Sequence, residues 1–243
     1  MRKLITDGFV IFISIFASFS VENYREASLE KNILNDAVIT LGEEMVSNIE
    51  YTKDHLDQIK NMNYLNNEII RNFRSITPKE IFEIHTNNPY VHNFGIDGKI
   101  SYVKKYNDES LFSLLVSWNA WEPEKVFFES MLNSGKLLEI KNKKLRKEIE
   151  SIYTKQQERV NGMAIATKNN TDMVADWLLR AQNTYNSDIN SNETFAKLRD
   201  QELKNLLKVK SAILSLRISD LENYLQAIQN VVLLISSEYK KLD

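Results

Sequence analysis

The chain of 243 residues contains no cysteine, so it forms no disulfide, offers no thiolate nucleophile and supplies no zinc-thiolate site. Glycine is scarce at six and proline scarcer at three, too few for the turns of a many-stranded sandwich or barrel and for a glycine-rich phosphate loop. An excess of one charge sign is missing too. Thirty-one Lys and Arg against 33 Asp and Glu leave a net charge of -2, which gives no long-range field to draw in nucleic acid. The three histidines lack the converging partners a metal site needs: His85 and His92 flank Asn87-Asn88-Pro89-Tyr90 in an expected loop, and His55 is expected on an exposed helix face beside Asp54 and Asp57. No nucleophile elbow, P-loop or zinc-protease helix is present, so neither a cofactor nor a small-molecule substrate is evident. What is there is an ordinary globular composition, 43% hydrophobic and 26% charged, with long helices as the default.

The longest apolar stretch is Leu4 to Val21, in which twelve of eighteen residues are apolar and only Asp7 is charged. As a helix it would span about 27 Å, close to the hydrocarbon thickness of a bilayer, and it reads as an uncleaved transmembrane anchor over residues 1–21. The uncharged run Gly8 to Val21 leaves a signal peptide as the alternative, with Arg2 and Lys3 as its charged start; Phe19 makes a poor cleavage position. Arg2, Lys3 and the amino terminus oppose Arg25 and Lys31 across the span, which favours an amino terminus in the cytoplasm and, in a bacterium, a periplasmic body. Asp7, Ser14 and Ser18 fall on one face and Phe9, Phe12, Phe16 and Phe19 on the other. Asp7 lies three residues inside the boundary, where it can snorkel to the headgroups with the two serines aligned by chance. Otherwise the first face is a transmembrane helix contact through small residues and a charge seeking a partner, or the second is, because it continues into the stripe Leu34, Val38, Leu41 and Met45.

The remainder, 22–243, reads as an all-α soluble body. Residues 22–72 carry apolar positions at 34, 38, 41, 45, 49, 56 and 59, a three-four period that predicts one long helix continuing from the span. A second long helix is expected over 143–185, with Leu145, Ile149, Ile152, Val160, Met163, Val174, Trp177 and Leu178 on its stripe. A third, over 196–242, carries Leu207, Leu214, Ile218, Leu221, Leu225, Ile228, Val232, Ile235, Tyr239 and Leu242 as a heptad. Helices of similar length, each apolar on one side, bury those sides against one another, which predicts an elongated antiparallel bundle or coiled coil.

Residues 75–142 form a compact, mostly helical central region. Thr77-Pro78 starts a helix that Asn87-Asn88-Pro89 stops. Asp97-Gly98 marks either a hairpin turn or an irregular loop. Asp108 caps a helix running through Trp118, Pro123 starts another that Gly135 ends, and Asn142 caps the next. Trp118, Trp121, Phe127 and Phe128 are expected to form a core at the tip of the bundle. The pair Glu43/Glu44 and the cluster Lys141, Lys143, Lys144, Arg146, Lys147 read as solvated helix faces, the cluster having contact with an acidic partner or lipid headgroups as its functional alternative.

Two segments carry a resemblance. Val21-Glu22-Asn23-Tyr24-Arg25-Glu26 directly after the span, and Phe127-Phe128 through Ser134-Gly135-Lys136-Leu137 with Ile140, Asn142, Leu145, Arg146, Ile149 and Tyr153, together resemble a family of uncharacterised bacterial single-span membrane proteins. The chain departs from that family in its short basic start, Arg2 and Lys3, and in the order Asp7-Gly8. The resemblance implies location and shape and carries over no reaction.

These readings lead to a non-enzymatic, membrane-anchored interaction or scaffold protein of the bacterial inner membrane, whose partners are the bilayer and further copies of itself or other membrane-protein subunits. A subunit of a transport, channel or sensing assembly with Asp7 at a shared intramembrane interface is the alternative. An enzyme built from the Tyr90 to Trp121 region would require His85, His92 or nearby acids to converge on a polar pocket.

Overall fold

A computed structural model describes residues 2–94, 100–103, 110–185, 195 and 200–239, with side chains in the first helix from Ile13 onward. The chain is mostly helical. Helix α1 (Arg2–Arg71) is followed by α2 (Pro78–Asn87), strands β1 (His92–Phe94) and β2 (Ile100–Tyr102), then α3 (Ser110–Val116), α4 (Val126–Asn133), α5 (Lys136–Glu139) and α6 (Lys143–Ser151). A π turn (Ile152–Gln156) joins α6 to α7 (Gln157–Tyr185), and α8 (Gln201–Glu238) completes the described elements.

Helix α8 is the central rod, packing on α1 along one side and on α7 along the other. The α1–α8 pair is antiparallel: Asn66 meets Leu207, His55 meets Arg217 and Gly42 meets Ile235 in order along the two helices. On α1 the inward positions are Val38, Leu41, Met45, Asn48, Thr52, His55, Ile59, Met62, Asn66 and Ile69, alternating three and four without interruption, and all are buried. Along α8 the same count runs Leu207, Lys210, Leu214, Arg217, Leu221, Tyr224, Ile228, Val231 and Ile235. The sequence reading took Ile218, Leu225 and Val232 as the second column of this stripe. Leu225 is buried in the core, Ile218 and Val232 are partly buried at its edge, and the column itself holds Lys210, Arg217 and Tyr224 at seven-residue intervals.

The central region does not cap the tip of the bundle. It runs back along its flank in the groove between α1 and α7. Helix α2 begins with the expected cap: the Thr77 hydroxyl accepts from Glu80 N, and the Glu80 carboxylate in turn accepts from Thr77 N. Strands β1 and β2 pair antiparallel with Phe94 opposite Ile100; the expected turn at Asp97-Gly98 lies outside the described residues, as does the expected cap Asp108. Helix α3 ends at Val116, so Trp118 stands in an irregular segment, 117–125, rather than in a helix. Gly135 ends α4 with φ 77, the left-handed stop that glycine adopts without strain, and Asn142 caps α6 by accepting from Lys144 N and Leu145 N.

Candidate functional site

Two features of the structure call for a functional account: an exposed helix that leaves the body, and a polar seam within it. Every side chain of α1 from Ile13 to Ile33 is exposed, and the first buried one is Val38. The exposed set includes Ile13, Ile15, Phe16, Phe19 and Val21, with Phe16 and Phe19 each 65% accessible. Ser18 Oγ donates to Ser14 O and Ser20 Oγ to Phe16 O, each at 2.8 Å, so these hydroxyls are satisfied inside the helix without water. Ser14 and Ser18 thus share one face, as expected. The Asp7 side chain, and all side chains of the expected span before Ile13, lie outside the described residues. Among the described residues no helix is long and apolar enough to cross a membrane.

The polar seam is where α1 and α8 grip the 115–128 segment. Its first contact is Glu44, read from sequence as solvated and here 4% exposed. The reason is the start of α4, where Lys125 provides no side-chain cap. Glu44 reaches across from α1 instead, its Oε2 accepting from Phe127 N at 2.6 Å and its Oε1 from Phe128 N at 3.4 Å and from Tyr153 Oη at 2.7 Å. A carboxylate there also meets the positive end of the α4 dipole. Burial and the neighbouring Glu44 push the Tyr153 hydroxyl well above the ordinary phenol range, so it stays a donor. One turn along α1, Asn48 closes two bonds to the backbone of Glu124, Thr52 accepts from the Trp121 indole at 3.2 Å, and Tyr51 Oη accepts from Glu122 N at 3.0 Å.

Two buried cations complete the grip. Arg217, fully buried, donates to Trp118 O at 2.6 Å, to Asn119 O and to His55 Nε2 at 2.9 Å. Asn119 adopts φ 47, a left-handed conformation that asparagine tolerates, and the turn brings two successive carbonyls within reach of one guanidinium. Burial lowers the Arg217 pKa to about 10. Lys210, 2% exposed, donates to Leu115 O at 2.7 Å and Ser117 O at 2.9 Å, and burial brings its ammonium down to about 7. Both side chains satisfy carbonyls that an irregular segment would otherwise leave without partners in the core.

The histidines depart from expectation for the same reason. His55 is buried against Arg217, and desolvation, then the guanidinium charge, lowers its pKa to about 3; a neutral ring is the form whose Nε2 can accept from Arg217. His85 lies within α2 rather than in a loop. Its Nε2 accepts from Tyr90 N and Val91 N, and burial lowers it to about 4. The Tyr90 hydroxyl donates to Leu114 O at 2.7 Å.

The four aromatics expected as a tip core are not brought together. Trp121 is buried halfway along the body, edge-on to Tyr224 at 4.9 Å, while Phe128 stacks on Tyr153 at 4.2 Å beside Glu44. Trp118 is half-buried, and Phe127 is exposed because its backbone, not its ring, serves the Glu44 contact. The residues that sequence reasoning missed, Glu44, His55, Lys210 and Arg217, carried one usable signal: continuing the three-four count through polar residues puts three of them on the inner stripes.

Chemically, the seam consists of donors and acceptors matched to backbone groups, an arrangement that holds a segment in place. Among the described residues no group of three His, Asp or Glu converges to hold a metal ion. No protein family, curated protein or solved structure matches the chain.

Proposed function

We propose that the chain is a non-enzymatic, membrane-anchored helical interaction or scaffold protein, held by residues 1–21 in a bacterial inner membrane, with its body on the periplasmic side and associating with further copies of itself. The observation that carries this reading is the unbroken exposure of α1 from Ile13 to Ile33. Ile13, Ile15, Phe16, Phe19 and Val21 are apolar side chains each about half or more exposed, at the end of a helix whose preceding residues, Leu4 to Phe12, are also mostly apolar. Water opposes leaving such a stretch bare, and lipid is the medium that accepts it. Serine hydroxyls bonded back to their own helix fit the same medium. Between Val21 and Val38 the helix would hold the body about 25 Å from the span.

Fractionation of cells producing the full chain tests the anchor. The chain is expected in the membrane pellet after an alkaline carbonate wash, and the same chain without residues 1–21 in the soluble fraction with an unchanged helical spectrum. Full-length protein in the wash would overturn the reading. Labelling of a Tyr24→Cys variant by an impermeant maleimide in intact spheroplasts tests orientation, a periplasmic body requiring it to react.

A further inference from the structure

The end of the body nearest the projecting helix carries two surfaces of opposite character. The first is a groove of about 340 Å³ between α1 and α8, lined by Ile39, Val46, Val232 and Tyr239 and rimmed by Glu43 and Glu50. Its α1 wall is acidic: Glu43 and Glu50 line it, and no Lys or Arg falls between Lys31 and Lys53 along α1. The second is the α5–α6 corner, where Leu138 stands 71% exposed and Leu132, at the end of α4, 54% exposed. Its charge is basic, since residues 136–148 hold Lys136, Lys141, Lys143, Lys144, Arg146 and Lys147 against Glu139 and Glu148. Across the corner Arg146 Nη1 donates to Leu138 O at 2.9 Å and ties α5 to α6.

Both surfaces stand at the same height. Asn142 donates to Glu238 at the last turn of α8, and Gly42, in the groove wall, lies against Ile235 less than one turn before it. They face different ways around α1: Glu44 receives α4, while Val46 lies about 200° from it on the helix circumference. One molecule therefore cannot bring its own corner to its own groove. We propose that the acidic apolar groove of each chain receives the basic Leu138 corner of a neighbouring copy, a head-to-tail contact. This rests on the anchor reading, under which every copy stands the same way up. Equal height and a common orientation then confine the rotation axis to the membrane normal, the condition for such contacts to close into a ring. Lipid headgroups are a poorer occupant for the corner. Ile39, at that height, is about 27 Å along α1 from Val21, several times the Debye length of about 8 Å at physiological salt.

The absence of native cysteine makes the contact directly testable. With a short bis-maleimide applied to native membranes, V46C/L138C chains are expected to give a ladder of dimers, trimers and larger species. Differently tagged V46C and L138C chains produced together should give one mixed dimer, and either variant alone should give none. Same-tag dimers from V46C or L138C alone at comparable yield would show a two-fold contact and overturn the proposal, as would no product from the double variant. Glu50→Lys should lower the ladder several-fold, and adding Lys141→Glu and Lys143→Glu should restore it; loss without restoration would count against charge pairing between these faces. Labelling of L138C by a bilayer-confined probe, in membranes where the ladder is absent, would assign the corner to lipid and overturn the proposal. Carbonate washing of the same samples separates the two readings. Chains that stay in the pellet without a ladder refute the pairing alone, and chains that wash out yet form a ladder refute the anchor alone.

Discussion

Helix α1 is one continuous element with two unlike halves. From Ile13 to Ile33 it buries nothing, although Ile13, Phe16 and Phe19 are strongly apolar; from Val38 to Ile69 it buries every inward position, although Asn48, Thr52, His55 and Asn66 are polar. Hydrophobicity therefore does not sort inside from outside along this helix. Position relative to α8 does. Helix α8 ends at Glu238, just past Ile235, which lies against Gly42 near the start of the buried half, and every described α1 side chain up to Ile33 is exposed. In the buried half, polar side chains are tolerated because each has a hydrogen-bond partner: Asn48 and Asn66 the backbone of Glu124 and Leu207, Thr52 the Trp121 indole and His55 the Arg217 guanidinium. In the projecting half, the apolar side chains Ile13, Ile15, Phe16, Phe19 and Val21 stay exposed, and none joins the core of the described residues.

Removing one side chain from each half should have very unequal effects. Arg217→Ala strips the partners from Trp118 O, Asn119 O and His55 at once, and should cost about 3–5 kcal/mol, lowering the melting midpoint by about 6–20 °C. Phe16→Ala deletes a large apolar group from the projecting half, yet in detergent it should leave the midpoint within about 1 °C, because the side chain is 65% exposed and lies outside the core. Thermal denaturation followed by circular dichroism measures both. A comparable loss from Phe16→Ala would mean that the projecting half folds back on the body.

Acidity should separate the halves next. His55 and His85 stay neutral in the fold down to about 3 and about 4, whereas in the unfolded chain they protonate near the ordinary 6.5. Between roughly pH 4 and 6.5 the unfolded chain then binds more protons, so stability rises with pH across that window and is lost as pH falls through it, by up to about 1.4 kcal/mol per unit for each histidine. Denaturant titrations at pH 7, 6 and 5 should show this slope. H55Q/H85Q, which retains an acceptor at both sites, should flatten it. Lys210 extends the trend at the alkaline side: held at about 7 in the fold against the ordinary 10.5, it should let stability keep rising above neutrality. A body whose stability is level from pH 7 down to 4.5 would remove the buried histidines from the account.

Most of the helices were legible because caps and periods are local. Thr77-Pro78-Lys79-Glu80, Gly135 and Asn142 set boundaries through bonds made within a few residues of themselves. The seam was not legible, because its logic is not local. Lys210 and Arg217 are ordinary surface residues until an irregular segment about a hundred positions earlier brings carbonyls to them. Glu44 reads as half of a solvated acidic pair until α4 starts without a cap of its own. Apolar Ile218, which lies at the core's edge, takes precedence on hydrophobicity alone over Arg217, which occupies the column beside it. The π turn at Ile152–Gln156 is a further case: it inserts a residue into an otherwise steady helix and brings Tyr153 to Glu44, which no three-four count anticipates.

The smallest effect tests whether the α1–α8 seam is packed as closely as this account requires. Gly162 and Gly42 are both helical, and in each the change to Ala gains roughly 0.5–1 kcal/mol of helix propensity. At Gly162 an added Cβ meets nothing within 4 Å, so Gly162→Ala should realise that gain and raise the midpoint by about 1–3 °C. At Gly42 the added Cβ would stand 3.2 Å from Ile235 Cγ2, tighter than ordinary contact, and Ile235 is itself buried against α1, so it has little room to give. Overpacking there should cancel the propensity term or exceed it, leaving Gly42→Ala neutral or destabilised. Equal gains at both sites, read by the same thermal melts, would mean that α8 yields at its final turns. The groove beside Gly42 would then be a soft surface and not the fixed wall a neighbouring chain could use.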